Sequence, residues 1–185
     1  MDKKKRFTTG EIVKRVNVTN DLWKIWLKVD EKFSFDPGQY CTVGYKGIER
    51  PYSIASSPDE DQIELFIELV PPPDGNLTPL LNELNVGDTV TMRLRAKGIF
   101  VLKPEFKNHV MVGTVTGVAP YVSMMRKHLK ESESSDKNFI ILDAGMNDFM
   151  RPALYDAFHK IIPITKNSSK MKSTIEFVGP ICEST

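Results

Sequence analysis

The sequence predicts a β plus α/β protein, in which an antiparallel β-barrel is followed by a small α/β domain. Two observations lead to this prediction. Apolar and polar residues alternate with a period of two through most of the first half of the chain, which is typical of half-buried strands. Beyond Lys103, an apolar segment, a turn of small residues and a helical pattern follow one another, which is typical of a βαβ unit. The predicted domains are therefore residues 1–103 and 104–185.

The first domain contains segments with the strand pattern, and turn residues such as Asp36-Pro37-Gly38 and Val86-Gly87-Asp88 separate them. Short strands joined by tight turns favour a small antiparallel barrel. A short helix, Pro79–Leu84, is predicted before the last strand, with Thr78 as its N-cap. The predicted strands are residues 10–16, 23–29, 40–44, 50–55, 63–69 and 90–94.

The second domain begins with the predicted strand His109–Val112, a turn over Gly113–Gly117 and a helix that opens at Pro120. A polar linker then leads to a second buried-type strand, Asn138–Leu142, and to a helix over Ala153–Lys160. Two strands joined through a helix pair in parallel. The remaining tail is polar and weakly patterned, and no further strand is predicted there.

Composition excludes several classes of function. The chain has 25 basic and 24 acidic residues and a net charge of +1, so no nucleic-acid surface is expected. The most apolar window, Val110–Met125, is broken by glycine and proline and is too short to span a membrane. The 2 cysteines and 3 histidines show no metal-ligand spacing, and neither a metal site nor an iron–sulfur cluster is predicted. Without a signal peptide or a disulfide framework, a cytoplasmic location is expected.

The segment Arg50-Pro51-Tyr52-Ser53 places a cation, an aromatic ring and a hydroxyl on one predicted strand. A flavin needs a cation for its pyrophosphate, a planar partner for its ring and hydrogen bonds near its reactive nitrogen. Phe66 adds an aromatic to an otherwise acidic strand face, and Gly75-Asn76-Leu77-Thr78 leads into a helix N-terminus that favours an anion. Each feature alone has an ordinary explanation, such as a surface ion pair or a helix cap. Together they indicate a flavin site.

A second candidate site is the turn Gly113-Thr114-Val115-Thr116-Gly117-Val118-Ala119-Pro120. Small residues between an apolar strand and a helix N-terminus are the usual way to receive a dinucleotide pyrophosphate. The turn therefore indicates a nicotinamide-nucleotide site.

These segments, with Asp36-Pro37-Gly38-Gln39-Tyr40 and Val86-Gly87-Asp88, occur in the order found in the ferredoxin–NADP reductase superfamily. Over about residues 8–160 the chain most resembles the bacterial ferredoxin/flavodoxin–NADP reductases. The resemblance implies an FAD-binding barrel followed by a shortened Rossmann-like nucleotide-binding domain. It also implies FAD as cofactor and NAD(P)H as co-substrate.

The resemblance further implies roles for individual residues. Ser53 and Tyr52 are the predicted catalytic residues beside the flavin, and Thr116 is expected near the flavin–nicotinamide junction. FAD would be held by Arg50, Pro51, Tyr52, Ser53, Phe66, Gly75, Asn76, Leu77, Thr78 and Thr116. NAD(P)H would be held by Gly113, Thr114, Thr116, Gly117, Val118, Ala119, Pro120, Gly145 and Met146.

The chain departs from the family pattern at three places. Val115 stands where the family turn usually has a glycine. Met146 stands where NADP-specific members often have an arginine, and the nearby Asp143 favours NAD, although Arg151 leaves NADP open. Family members are also longer, so an open sheet edge is expected in the second domain. Phe177-Val178-Gly179-Pro180 is similar to a later Gly-Pro motif of the family.

The predicted function is hydride exchange between NAD(P)H and FAD, with electrons passed to or from a ferredoxin- or flavodoxin-like carrier. Three alternatives remain open. One is the reductase component of an oxygenase or a flavin reductase. Another is an FAD-binding module without turnover, because its nucleotide domain is incomplete. The third is a nonfunctional product that needs a partner to fold.

Overall fold

In the computed structural model, the described residues are 6–103, 105, 108–131, 138–142 and 176–178. The chain forms two compact units. The first unit comprises Met1–Leu102 with Val118–Glu133, and the second comprises Lys103–Gly117 with Ser134–Thr185. None of the helices in the described part of the chain combines the length and hydropathy that a transmembrane span requires.

The first unit is a nearly closed barrel of six antiparallel strands, arranged in the order β4-β3-β6-β1-β2-β5. A bridge between Ile54 and Leu65 joins the two ends of this sheet. The predicted barrel and all of its predicted strands are confirmed, with shifts only at their ends. The strands are β1 Phe7–Asn17, β2 Leu22–Val29, β3 Tyr40–Tyr45, β4 Ile48–Ser53, β5 Ile63–Glu68 and β6 Thr89–Arg93.

The barrel core is built from the inward half of each alternating pattern. Burying these side chains removes apolar surface from water, which is the main favourable term in folding. Cys41 belongs to this core, and burial raises the pKa of its thiol to about 12, so it packs as a small neutral apolar group. The most buried members are Ile12, Trp23, Ile25, Leu27, Cys41, Val43, Ile54, Leu65, Ile67, Val90 and Met92.

The helix between β5 and β6 is α1, Thr78–Asn82, and it begins differently from the prediction. Leu77 occupies the N-cap position without a side-chain capping bond. The Thr78 hydroxyl instead accepts from the Val70 amide at 2.9 Å and donates to the Val70 carbonyl at 3.1 Å. The prediction of Thr78 as N-cap is therefore wrong, because the folded loop offers its hydroxyl two backbone partners that are distant in sequence.

Arg15 of β1 closes the other end of α1. Its Nη1 donates to the Asn82 carbonyl at 2.8 Å and to the Leu84 carbonyl at 2.5 Å, and its Nη2 donates to the Asn82 Oδ1 at 2.8 Å. The guanidinium also lies 5.3 Å from the Trp23 ring centroid. A cation at a helix C-terminus satisfies carbonyls that have no partner within the helix. The barrel wall therefore supports α1 directly.

The second unit contains a parallel sheet of β7 Asn108–Val112, β8 Asn138–Leu142 and β9 Glu176–Val178, in the order β8-β7-β9. The first two strands were predicted. The tail was interpreted as weakly patterned and no strand was assigned to it, whereas β9 includes Phe177 and Val178 of the Gly-Pro motif and pairs with the second edge of β7. A three-residue strand is too short to show an alternating pattern. The predicted helix over Ala153–Lys160 lies outside the described residues.

A 3₁₀ turn, Val115–Val118, leads into α2, Ala119–Glu131, which groups with the barrel. Tyr121 is 2% exposed and packs edge-on against Phe100, with ring centroids 5.5 Å apart. Gly38 of the barrel is buried next to Met124, and a Cβ at Gly38 would lie 2.0 Å from the Phe100 carbonyl oxygen. The close approach of α2 to the barrel thus depends on a glycine in the predicted Asp36-Pro37-Gly38 turn.

Candidate functional site

The predicted flavin residues Arg50, Tyr52 and Ser53 lie on β4, which pairs with β3. Arg50 is opposite Val43, Tyr52 is opposite Cys41 and Ser53 is opposite Tyr40. Because alternate residues of a strand project from the same face, Arg50 and Tyr52 share one face and Ser53 lies on the other. The cation and the aromatic ring therefore lie on one face of β4, and the hydroxyl lies on the other.

Tyr52 and Arg50 combine an aromatic ring with a nearby cation. Tyr52 is half-buried and packs against the barrel core, and this burial raises the pKa of its phenol, although the charge of Arg50 acts in the opposite direction. The phenol therefore stays protonated and can donate a hydrogen bond. Arg50 is exposed and donates to the Glu49 carbonyl at 2.8 Å. Pro51 between them is exposed and has no amide hydrogen.

Phe66 lies on β5, the strand that closes the barrel against the continuation of β4. The bridge between Ile54 and Leu65 and a 2.8 Å bond from the Ala55 amide to the Glu64 carbonyl make this closure. Phe66 is half-buried and is directly opposite Lys24 of β2. The structure thus brings the strands that carry Phe66 and Arg50–Ser53 together at the closing seam of the barrel.

Gly75, Asn76, Leu77 and Thr78 belong to a loop that follows β5 and folds back on itself. The Gly75 amide donates to the Pro71 carbonyl at 3.0 Å, and a Cβ at Gly75 would lie 1.9 Å from the Val70 carbonyl oxygen. Leu77 is 1% exposed, whereas Asn76 is exposed. Only glycine fits at position 75 without a shift of the backbone. The loop therefore presents Asn76 from a fixed backbone on the N-terminal side of α1.

The residues of the predicted nucleotide turn are divided between the two compact units. Gly113, Thr114, Thr116 and Gly117 belong to the second unit, and Val118, Ala119 and Pro120 belong to the first. The Gly117 amide donates to the Thr114 carbonyl at 2.8 Å, which closes the turn. Val115 has a φ of 45°, a left-handed conformation that is unfavourable for a β-branched side chain. Gly145 and Met146 lie outside the described residues.

Sequence reasoning missed a polar cluster on the first unit. Glu64 is 3% exposed, although it sits in a strand whose pattern suggested an outward acidic residue, and Arg126 of α2 contacts it. Ser123 of α2 is also fully buried. No local signal identifies this cluster, because its members are more than sixty residues apart in the chain. In the described part of the chain, no group of three or more histidine, cysteine or acidic residues is placed to hold a metal ion.

Two protein families match different parts of the chain. Residues 9–98 match the oxidoreductase FAD-binding domain. Residues 109–185 match the C-terminal sheet domain of pyridoxal-dependent decarboxylases. The first match coincides with the barrel, and the second begins within β7.

The relatives show the same division. The flavodoxin/ferredoxin–NADP reductase of Escherichia coli K12 is 31% identical over 145 residues, which are 75% of this chain and 56% of the reductase. The ferredoxin–NAD(P)(+) reductase component of the naphthalene 1,2-dioxygenase system of Pseudomonas putida is 31% identical over 96% of this chain and 53% of its own length. Diaminopimelate decarboxylase of Helicobacter pylori is 45% identical over 67 residues, which are 36% of this chain and 16% of the decarboxylase.

Among solved structures, a ferredoxin NADP⁺ reductase from Neisseria gonorrhoeae with bound FAD and NADP has a similar fold. Its TM-score is 0.65 at 24% identity, over 95% of this chain and 68% of that one. The chain spans about half the length of the reductases from E. coli and P. putida that it matches.

The barrel coincides with the span, residues 9–98, that matches the oxidoreductase FAD-binding domain. The proteins to which the chain is similar include the flavodoxin/ferredoxin–NADP reductases. The resemblance inferred from the motifs is thereby confirmed. The similarity to decarboxylases was missed, and it covers the stretch that contains Gly145, Met146 and Phe177-Val178-Gly179-Pro180.

Proposed function

We propose that this chain binds FAD on its barrel and exchanges a hydride between NAD(P)H and that flavin. The observation that carries the proposal is the closing seam of the barrel. There β4, with Arg50–Ser53, and β5, with Phe66, meet inside the span that matches the FAD-binding family. The seam combines an exposed cation with two aromatic rings, one of them a protonated phenol, which suit a flavin with an anionic pyrophosphate.

The residues of this chain would bind and orient the cofactor. Arg50 would supply a positive charge for the FAD pyrophosphate. The side-chain amide of the exposed Asn76 would donate a hydrogen bond to the same pyrophosphate. Tyr52 would stack on the flavin ring, and Ser53, on the opposite face of β4, would donate a hydrogen bond near the reactive nitrogen. When bound, FAD supplies the ring that accepts or gives the hydride. The side chains contribute position and electrostatics rather than covalent chemistry.

The nucleotide would bind at the turn Gly113–Pro120, where backbone amides before α2 favour a phosphate. Thr116 would lie near the nicotinamide, and Gly145 and Met146 enter this proposal only through the sequence resemblance. With Met146 in place of an arginine and Asp143 nearby, we expect NADH to be used at least as well as NADPH. Arg151 leaves the use of NADPH open.

The electron partner would be a ferredoxin- or flavodoxin-like carrier, the kind of protein named in the reductase relatives. The reductase component of an oxygenase is the alternative, since the P. putida relative carries that name. We place the protein in the cytoplasm, where such carriers are reduced and oxidised.

A second candidate concerns residues 109–185. Their match to a decarboxylase sheet domain, at 45% identity to the H. pylori enzyme over 67 residues, is stronger per residue than the reductase match. If this match reflects the function, residues 109–185 form a sheet module that is joined to an FAD-binding barrel. The barrel then binds FAD, but NAD(P)H does not reduce the bound flavin. Because the match covers 16% of the decarboxylase, we propose no decarboxylation by this segment alone.

One experiment separates these functions. The purified chain is examined for a flavin absorbance spectrum and is then titrated with NADH or NADPH without oxygen. Bleaching of the yellow protein by either nucleotide supports the reductase. A yellow protein that neither nucleotide bleaches supports the barrel with a sheet module. A folded but colourless protein that takes up no added FAD would contradict the proposal.

A further inference from the structure

A buried ion pair links α2 to the closing seam of the barrel. Arg126 Nη1 lies 2.5 Å from Glu64 Oε2, and the Glu64 side chain is 4% exposed. Lys24 Nζ lies 3.8 Å from the other carboxylate oxygen of Glu64. The same Arg126 Nη1 is 3.3 Å from the Ala55 carbonyl and 3.5 Å from Glu60 Oε2. One guanidinium therefore joins β5, α2 and the segment that follows β4.

That segment, Ile54–Ser57, is buried throughout and is bonded from both sides. From β5, the Ala55 amide donates to the Glu64 carbonyl at 2.8 Å, and the Glu64 amide donates to the Ser56 hydroxyl at 3.1 Å. From α2, the Ser123 hydroxyl donates to the Ser56 carbonyl at 2.6 Å. The segment begins directly after Ser53, so its position sets where the end of β4 lies.

Energetics make the pair a strong constraint. A buried carboxylate that loses its cation leaves an uncompensated charge in a poorly polarisable environment, which is far more costly than the loss of a surface pair. Without Arg126, Glu64 would rely on Lys24, whose Nζ lies 3.8 Å from Oε1. Glu64 is also bonded through its own backbone to Ala55 and Ser56. Displacement of Glu64 therefore displaces the segment that continues from Ser53.

We infer that Arg126 and Ser123 of α2 are positioning residues for the flavin site, acting through Glu64 and the segment Ile54–Ser57. Neither residue belongs to the set that would contact FAD. They fix the end of β4, and with it the orientation of Tyr52 and Ser53 toward the flavin ring. This inference rests on the proposed function, and it makes α2 a part of the flavin domain although it follows the first strand of the second unit in sequence.

The test compares flavin properties in full-length variants saturated with FAD. Arg126→Met and Ser123→Ala are expected to change the visible circular dichroism of the bound flavin and to weaken FAD binding, by about tenfold for Arg126→Met, which corresponds to about 1.4 kcal/mol. The double variant Glu64→Gln/Arg126→Met is expected to recover part of this loss, because it removes the carboxylate that has lost its nearest cation. Lys130→Met is the matched control, since Lys130 is an exposed cation of the same helix.

Several outcomes separate the inference from the function on which it rests. A wild-type chain that takes up no FAD overturns both. A wild type that binds FAD, with unchanged flavin spectra and FAD affinity in Ser123→Ala and Arg126→Met, overturns the positioning role alone. If Arg126→Met does not fold, Ser123→Ala and Arg126→Lys decide, since neither leaves Glu64 without a nearby cation. An equal effect of Lys130→Met also overturns the role, because it would assign the change to a general loss of charge on α2.

Discussion

The barrel and the parallel sheet differ in whether strands that follow one another in sequence pair across a short turn. In the barrel, β1 pairs with β2 and β3 with β4, each across a short turn. In the second unit, β7 pairs with β8 only beyond α2, and with β9 more than sixty residues away. Closing a longer loop costs more chain entropy before any contact is gained. The barrel thus combines these hairpins with distant pairs such as β1 with β6 and β2 with β5, whereas the described part of the sheet contains pairs between distant segments and no hairpin.

The helix α2 belongs to the barrel in the structure, although in sequence it lies within the second unit. It lies between the two parallel strands β7 and β8 in sequence, yet its buried face packs on the barrel. The contacts that hold it there are the Phe100–Tyr121 ring pair, the close approach at Gly38 and the polar bonds to the seam. The place of α2 in the sequence, between β7 and β8, therefore does not indicate which core the helix packs against.

Limited proteolysis tests most directly whether α2 is stabilised with the barrel or with the second unit. We expect the first stable fragment to retain α2 and to end beyond Glu131, because α2 shares the barrel core. This fragment should still carry FAD, and mass spectrometry of the yellow fraction identifies its end. A yellow fragment that ends near Lys103 would show that the barrel does not need α2.

Substitution of Gly38 tests the packing of α2 on the barrel. Gly38→Ala should lower the free energy of unfolding by about 3 kcal/mol, because an alanine is strained at a φ of 100° and its Cβ would collide with the Met124 side chain of α2 and with the Phe100 carbonyl. Urea unfolding followed by tryptophan fluorescence measures this loss. Gly87→Ala is the matched control, since Gly87 has a φ of 96° but no heavy atom within 4 Å of the added Cβ. It should cost about 1 kcal/mol, and an equal loss in both variants would contradict the packing role.

Loss of Arg50 tests the barrel's proposed role without changing its core. Arg50→Ala should weaken FAD binding by roughly 10- to 100-fold, since a hydrogen bond to a charged group contributes about 1.5–3 kcal/mol. Dialysis followed by absorbance of the retained flavin measures the affinity. Lys28→Ala, which removes an exposed cation of β2, should leave the affinity unchanged. Full FAD retention by Arg50→Ala would remove this residue from the site.

The smallest expected effect concerns the second unit. Val115→Gly should stabilise that unit by about 1 kcal/mol, because glycine adopts the left-handed conformation without the side-chain clash of valine. Hydrogen exchange of the β7 amides reports the change, and the barrel amides serve as the internal reference. If the turn binds a nucleotide phosphate, NAD(P)H affinity should rise as well. Slower exchange in the barrel instead would contradict this local explanation.

Several features of the molecule were predictable because they depend on residues that are close together in the sequence. Alternation located the six barrel strands, since one face of each strand must be buried. The motifs around Arg50–Ser53 predicted the resemblance to the FAD-binding domain that residues 9–98 match. The similarity of residues 109–185 to a decarboxylase domain is also a property of the sequence, but periodicity and motif spacing did not reveal it. The residue roles at both candidate sites stay predictions.

The sequence by itself determined the barrel, its similarity to FAD-binding domains and the chemistry available on β4, because each depends on residues that are neighbours along one strand or turn. The tertiary structure alone decided that the Thr78 hydroxyl bonds Val70, that Glu176–Val178 joins β7, and that Arg126 neutralises a buried Glu64. Each of these contacts joins residues from separate segments. Local patterns record which face of an element is apolar, but they do not record which distant segment covers it.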